Sequence, residues 1–180
     1  MEIGPESPDE IVEIAAVHCA AFGGDYEAAV VDGLREGGWA FASLVARAEG
    51  AVVGHVMFSD MSLEVDGVAV PTAALAPLAV AAGWRRSGVG AALVEAGLAA
   101  ARAHGSHAVL VLGDPAYYRR FGFDAAALAH IRSPYPPGAL MGLALVPGAL
   151  AGQGGTIGYP PPFTRAQGIR TRTCRPKNGR

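Results

Sequence analysis

The chain has 180 residues, about half of them apolar, a net charge of −2 and two cysteines. That length suits a single domain with a sizeable core, and Cys19 and Cys174 have no CxxC or CxxH companion, so neither a disulfide framework nor a metal site is indicated. An acidic N-terminus (Glu2, Glu6, Asp9, Glu10) argues against a signal peptide, and Pro71 and Pro77 interrupt the uncharged stretch 67–84, so we expect no membrane span and a cytoplasmic protein.

Ser7-Pro8-Asp9 opens a first helix, with proline at its first turn and an early acid. Ile11, Ile14, Ala15, His18 and Phe22 form its apolar stripe, and Gly23-Gly24 ends it. A second helix is expected from Asp25 to Glu36, with Ala28, Val31 and Leu34 on one side. Strands follow over 41–47 and 52–61, then an Asp66-Gly67 hairpin turn and a strand over 68–80. Pro77 cannot donate to a ladder, so backbone groups near it should lack a neighbouring strand. A helix over 88–103 leads to the continuous apolar strand 107–112, of the kind buried on both faces. A short helix is expected over 115–121, and two weaker strands over 123–131 and 140–146. We place a domain over 1–150, a Gly/Pro-rich extension over 151–164 and a basic tail over 165–180, which we expect to be disordered. That tail holds six basic residues and no acid, leaving eight basic against sixteen acidic residues before it; nine of those acids precede Gly37. No aromatics interleave its charges, so nucleic-acid binding is not indicated.

The strongest chemical signal is Leu78-Ala79-Val80, a short loop, then Arg85-Arg86-Ser87-Gly88-Val89-Gly90-Ala91 at a helix start. Glycines at 88 and 90 permit close approach to the backbone. The unpaired N–H groups of a first helical turn, aided by the helix dipole, hold a pyrophosphate there. Arg85 and Arg86 add charge at the rim. The P-loop is excluded because Val89-Gly90 stand where Lys and Ser/Thr are required, and the dinucleotide fingerprint because Leu93 stands where its third glycine belongs.

Arg85-x-x-Gly88-x-Gly90 after an apolar strand resembles the coenzyme A signature of the GNAT N-acetyltransferases. The likeness extends over roughly residues 1–150, through His18-Cys19-Ala20-Ala21-Phe22, Gly54-His55-Val56-Met57-Phe58-Ser59, Pro77-Leu78-Ala79-Val80, Gly113-Asp114-Pro115 and Tyr117-Tyr118-Arg119-Arg120-Phe121-Gly122-Phe123, all similar to the YhbS-like branch. Ala82, where these enzymes often carry proline, and Arg86-Ser87, in place of a glycine-containing pair, depart from the pattern. The resemblance implies an α/β (α+β) fold, a mixed central sheet flanked by helices with two splayed central strands. It implies acetyl-CoA as co-substrate and no metal, with Leu78, Ala79 and Val80 pairing with the pantetheine arm and Arg85, Arg86, Ser87, Gly88, Val89, Gly90 and Ala91 around the phosphates. Tyr118 would be the general acid that protonates the leaving thiolate; a packing tyrosine beside Phe121 and Phe123 is the other reading, and Tyr117 is expected to face elsewhere.

The acceptor would be a small-molecule or peptide amine, and the early acids would favour a cationic one. Freeing an alkylamine of pKa ~10.4 at pH 7 costs about 4.6 kcal/mol, so a base or water chain is required. Asp25, Glu27 and Asp60 are the candidates, and Phe22 to Asp25 with the Tyr135-Pro136-Pro137 loop would shape acceptor choice. His18 and His55 read as core or cleft residues. A non-catalytic acyl-CoA sensor is the alternative function, and a homodimer is left open.

Overall fold

The computed structural model describes residues 1–136 and 138–165. Its strands are β1 (Glu2–Pro5), β2 (Ala40–Ala48), β3 (Ala51–Val65), β4 (Val68–Ala69), β5 (Thr72–Val80), β6 (Ala108–Leu112), β7 (Ile131–Arg132), β8 (Leu140–Ala144) and β9 (Gly155–Gly158). The α-helices are α1 (Ile11–Phe22), α2 (Tyr26–Glu36), α3 (Val89–His104), α4 (Pro115–Tyr118) and α5 (Pro162–Arg165). The sheet runs β1-β2-β3-β5-β6-β8, and along that path only β5 and β6 are parallel. This is the expected mixed α/β architecture. Among the described residues no helix is long and apolar enough to cross a membrane.

Helices cover both faces of the central strands, and burial follows. Val52 to Ser59 of β3 are buried on both sides, whereas beyond Ser59 buried and exposed residues alternate. Val56 and Phe58 pack beneath α3 with Leu93 and Val94, all essentially solvent-free. Val52 and Met57 belong to the opposite core, with Ile14 of α1 and Val30 and Leu34 of α2. A third cluster joins Leu63, Leu110, Leu128 and Ile131 at the far end of the sheet. α1 stops at Gly23, whose φ of 75° is the left-handed cap expected there.

Four local expectations need revision. β1 has no counterpart in the sequence reading, because a four-residue edge strand containing Gly4 and Pro5 has no apolar alternation to reveal it. The strand expected over 68–80 breaks at Val70-Pro71, where β4 ends and β5 begins. The strand expected over 123–131 is instead a single bridge, Asp124 to Gly142, followed by a 3-10 turn at Ala126–Leu128. Its alanines carry no β-branched bulk, and the Asp124 carboxylate accepts the Ala126 N–H at 2.9 Å, which favours a turn. The Gly/Pro-rich stretch after residue 150 contributes β9, antiparallel to β3 from Ser62↔Gly158 to Val65↔Gly155. The Asp66 carboxylate anchors it by accepting the Gln153 and Gly154 N–H groups at 2.9 Å. The tail after residue 165, with Cys174, lies outside the described residues.

Candidate active site

β5 and β6 pair over only three positions, Thr72↔Ala108, Ala73↔Val109 and Ala74↔Leu110. Beyond these β5 stays with β3, with Leu78 opposite Val56 and Val80 opposite Gly54, while β6 stays with β8, with Leu112 opposite Leu140. The strands therefore part, as Pro77 led us to expect, and the Ala76–Pro77 peptide is cis. One edge of β5 from Leu75 to Val80 faces a cleft of about 1070 Å³.

One end of this cleft is built by backbone. Gly88, at φ 93°, occupies the position before α3, and Arg86 ahead of it also has a positive φ of 64°. A Cβ on Gly90 would lie 2.6 Å from the Tyr117 hydroxyl, so only glycine fits there without displacement. The first N–H groups of α3 have no partner within the helix, and its dipole adds positive potential. Arg85 bridges two elements, its Nε donating to the Val80 carbonyl and Nη2 to the Ala21 carbonyl, both at 3.3 Å. Arg86 and Arg120 complete a set of three cations in the lining.

Of the residues named from the motif, Leu78, Val80, Arg85, Arg86, Gly88, Gly90 and Ala91 line the cleft. The side chains of Ala79, Ser87 and Val89 do not. Ala79 and Val89 are buried in opposite cores, since alternation along β5 and the inward stripe of α3 turn them away. The Ser87 hydroxyl donates to the Trp84 carbonyl. These three can contribute only through their main chain.

Tyr118 reaches the cleft from α4, where the Asp114 carboxylate caps the helix by accepting the Ala116 N–H at 2.8 Å. Its ring packs edge-on to Phe123 at 5.8 Å and to Tyr117 at 5.0 Å, and fills the space beside Gly113 that a Cβ would occupy. Its hydroxyl has no hydrogen-bond partner among the described residues. Burial, and secondarily Tyr117, pushes its pKa well above the ordinary phenol value. Tyr118 thus packs as expected of a structural tyrosine and also opens to the cleft. Contrary to expectation, Tyr117 faces the cleft as well, leaning over Gly90 with the Arg120 guanidinium 4.3 Å from its ring centre. On a one-turn helix adjacent residues can flank the same opening.

The remaining wall is aromatic. Phe22 of α1, Tyr26 and Glu27 of α2, Tyr135, Tyr159 and Phe163 all line it. The Tyr26 hydroxyl donates to the Phe163 carbonyl at 2.6 Å, fastening the C-terminal segment onto α2. Of the residues considered as bases, Glu27 lines the cleft; Asp25 does not, and Asp60 lies elsewhere, 3.0 Å from His104. Pro137, named with the Tyr135 loop, lies outside the described residues. Sequence reasoning missed Tyr26, Tyr159 and Phe163 because segments far apart in the chain assemble them.

Behind the α1 wall lies a buried polar chain. His18 Nε2 and His55 Nδ1 are 2.8 Å apart, and His55 Nε2 is 2.8 Å from the Ser43 hydroxyl and 3.7 Å from Glu6. Arg35 donates to both Glu6 oxygens at 2.7 and 2.9 Å. Burial opposes ionisation of Glu6, but the hydrogen bonds from Arg35, His55 and Ser43 outweigh it and hold the carboxyl far below its usual range. Burial, reinforced by His55 and Arg35, depresses His18 to about 3, and burial likewise depresses His55, so both are neutral at pH 7. Among the described residues no three His, Cys, Asp or Glu side chains group as metal ligands.

A family described as an acetyltransferase (GNAT) domain matches residues 2–126. The uncharacterized N-acetyltransferase YhbS of Escherichia coli (strain K12) is 38% identical over 168 residues, 92% of this chain and 99% of its own. The crystal structure of Escherichia coli YhbS in complex with CoA superposes with a TM-score of 0.81 at 37% identity, covering 91% of this chain and 92% of that one. A GNAT family acetyltransferase from Brucella melitensis, solved in complex with acetyl-CoA, gives a TM-score of 0.74 at 32% identity over 90% of this chain and 97% of its own. With its sequence, its splayed sheet and its glycine-led helix all in agreement, the chain belongs to the GNAT acetyltransferase family.

Proposed function

We propose that the protein transfers an acetyl group from acetyl-CoA directly to a primary amine, in a ternary complex and without a covalent enzyme intermediate, in the cytoplasm. The observation that carries this reading is the edge of β5 from Leu75 to Val80 that no strand covers, which opens into the same cleft as the α3 N-terminus and Tyr118. The cradle suits the co-substrate: Gly88 and Gly90 leave backbone amides bare for a diphosphate, and three arginines border it. The β5 edge can hydrogen-bond an extended amide-bearing arm as an added strand would. A main-chain N–H of Leu78–Val80 is the candidate donor to the thioester carbonyl as negative charge develops there.

The reaction balances as ammonium plus thioester giving amide, thiol and one proton. The amine nitrogen forms the new C–N bond, the C–S bond breaks, and Tyr118 hands its phenolic proton to the departing sulfur. The proton moves as the C–S bond breaks, so no free thiolate forms; burial, which opposes the charged form of both phenolate and thiolate, favours this concerted course. Of the two protons the ammonium loses, one returns through water to the Tyr118 phenolate and the other is the proton released.

The test is to incubate the protein with acetyl-CoA and a panel of amines while following free thiol. Amine-dependent thiol release supports transfer. Thermal stabilisation by acetyl-CoA with no turnover on any amine would replace it with a non-catalytic acyl-CoA sensor.

A further inference from the structure

We infer that the acceptor is a monocationic arylalkylamine, seated among Tyr26, Tyr135, Tyr159 and Phe163 with its ammonium group toward Glu27. The inference rests on the transfer reading for its chemistry, but its binding can be measured without turnover.

The rings come from three separate segments, and three of them are in continuous contact. Phe163 lies 5.0 Å from Tyr159 at 66°, and Tyr159 lies 5.7 Å from Tyr135 at 88°. The Tyr26 hydroxyl closes the set through its 2.6 Å bond to the Phe163 carbonyl. All four line the cleft. Edge-to-face rings around an opening offer faces and edges to another ring, and their faces attract a cation.

Charge decides which cation. Four of the nine early acids that could have favoured a polycation are committed elsewhere. Glu6 and Asp32 hold Arg35, Glu10 holds Arg47, and Glu13 accepts the Val52 N–H. Only two carboxylates line the cleft, and Asp114 is engaged in capping α4. Glu27 remains, facing a lining that also holds Arg85, Arg86 and Arg120. A polyamine would bring several charges to one carboxylate, the arginines of the lining being engaged with the phosphates of the co-substrate. A single ammonium on an apolar ring-bearing body matches one carboxylate beside four rings.

The experiment titrates the CoA-loaded full chain calorimetrically with 2-phenylethylamine, n-butylamine and spermidine, and measures thiol release from acetyl-CoA with the same three. We expect phenylethylamine to bind most tightly and to exceed butylamine in kcat/KM by at least tenfold, with spermidine below it. Glu27→Gln should raise KM for phenylethylamine tenfold or more while KM for acetyl-CoA stays within twofold. Tyr159→Leu should shrink the phenylethylamine-to-butylamine ratio; the Glu27→Gln result stands independently if that variant does not fold. Selective binding of phenylethylamine without thiol release would sink the transfer reading and leave standing only the seat for an arylalkylamine. Turnover of spermidine or butylamine at least as fast as phenylethylamine, or no binding of phenylethylamine at all, overturns it.

Discussion

The two ends of the cleft are built by different means. The α3 end is a contiguous run, 78–91, whose properties belong to the main chain: an uncovered strand edge, two glycines and a helix start. The opposite end is a mosaic of side chains from α1, α2, the loop before β8 and the segment after β9, held in register by tertiary contacts such as Tyr26 to Phe163. A main-chain site tolerates many side chains provided its torsions survive, whereas a mosaic changes character with each ring.

The largest effect should come where the two ends meet. Tyr118→Phe keeps the ring that packs on Phe123 and removes the proton donor, so kcat should fall about 100- to 10,000-fold with KM for acetyl-CoA unchanged. A steady-state comparison checks this, and an unchanged kcat would return Tyr118 to a purely packing role. The next effect separates the halves by acid. His18, held at about 3 when folded against 6.5 in the unfolded chain, leaves the unfolded state binding more protons between those values. Stability is therefore full above about pH 6.5 and declines below it, at up to about 1.4 kcal/mol per pH unit for each such histidine, with His55 shifted in the same direction. Hydrogen exchange should show α1 amides opening faster at pH 5 than at pH 7 while α3 amides hold, and His18→Leu should flatten the difference.

Gly90→Ala probes the main-chain end more gently. Its Cβ would meet the Tyr117 hydroxyl at 2.6 Å, so acetyl-CoA affinity should weaken about tenfold, in the range of overpacking penalties. Adding Tyr117→Phe removes that oxygen and should restore most of the loss in a binding titration. The smallest effect is expected of Arg86→Ala. As an exposed charge it should cost about threefold in acetyl-CoA affinity at low salt and less at high salt.

This contrast also explains what the sequence made legible. The Arg85-to-Ala91 loop is local, so torsional and charge requirements show directly in residue type, and Pro77 marks the parting of β5 and β6 in the sequence itself. Tyr118 could be singled out as a residue but not its surroundings, because the void at Gly113 and the lean of Tyr117 over Gly90 are facts of packing. Phe22 and the Tyr135 loop were named as acceptor-shaping, whereas Tyr159 and Phe163 sit in a segment that read as an appendage. β9 has no alternation strong enough to reveal that it pairs with β3, ninety or more positions back. Likewise the early acids looked like a cationic lure, yet Glu6, Glu10 and Asp32 serve the partly buried Arg35 and Arg47.

The docking of residues 155–164 has an evolutionary corollary. Main-chain pairing of β9 with β3 and the Asp66 anchor fix this segment without reference to Tyr159 or Phe163. Its rings pack on the cores beneath them, so they can change to other residues of similar bulk while the clasp persists. A lineage could rewrite a handful of codons downstream of β9 and acquire a new amine preference, leaving the machinery that grips the acyl donor untouched.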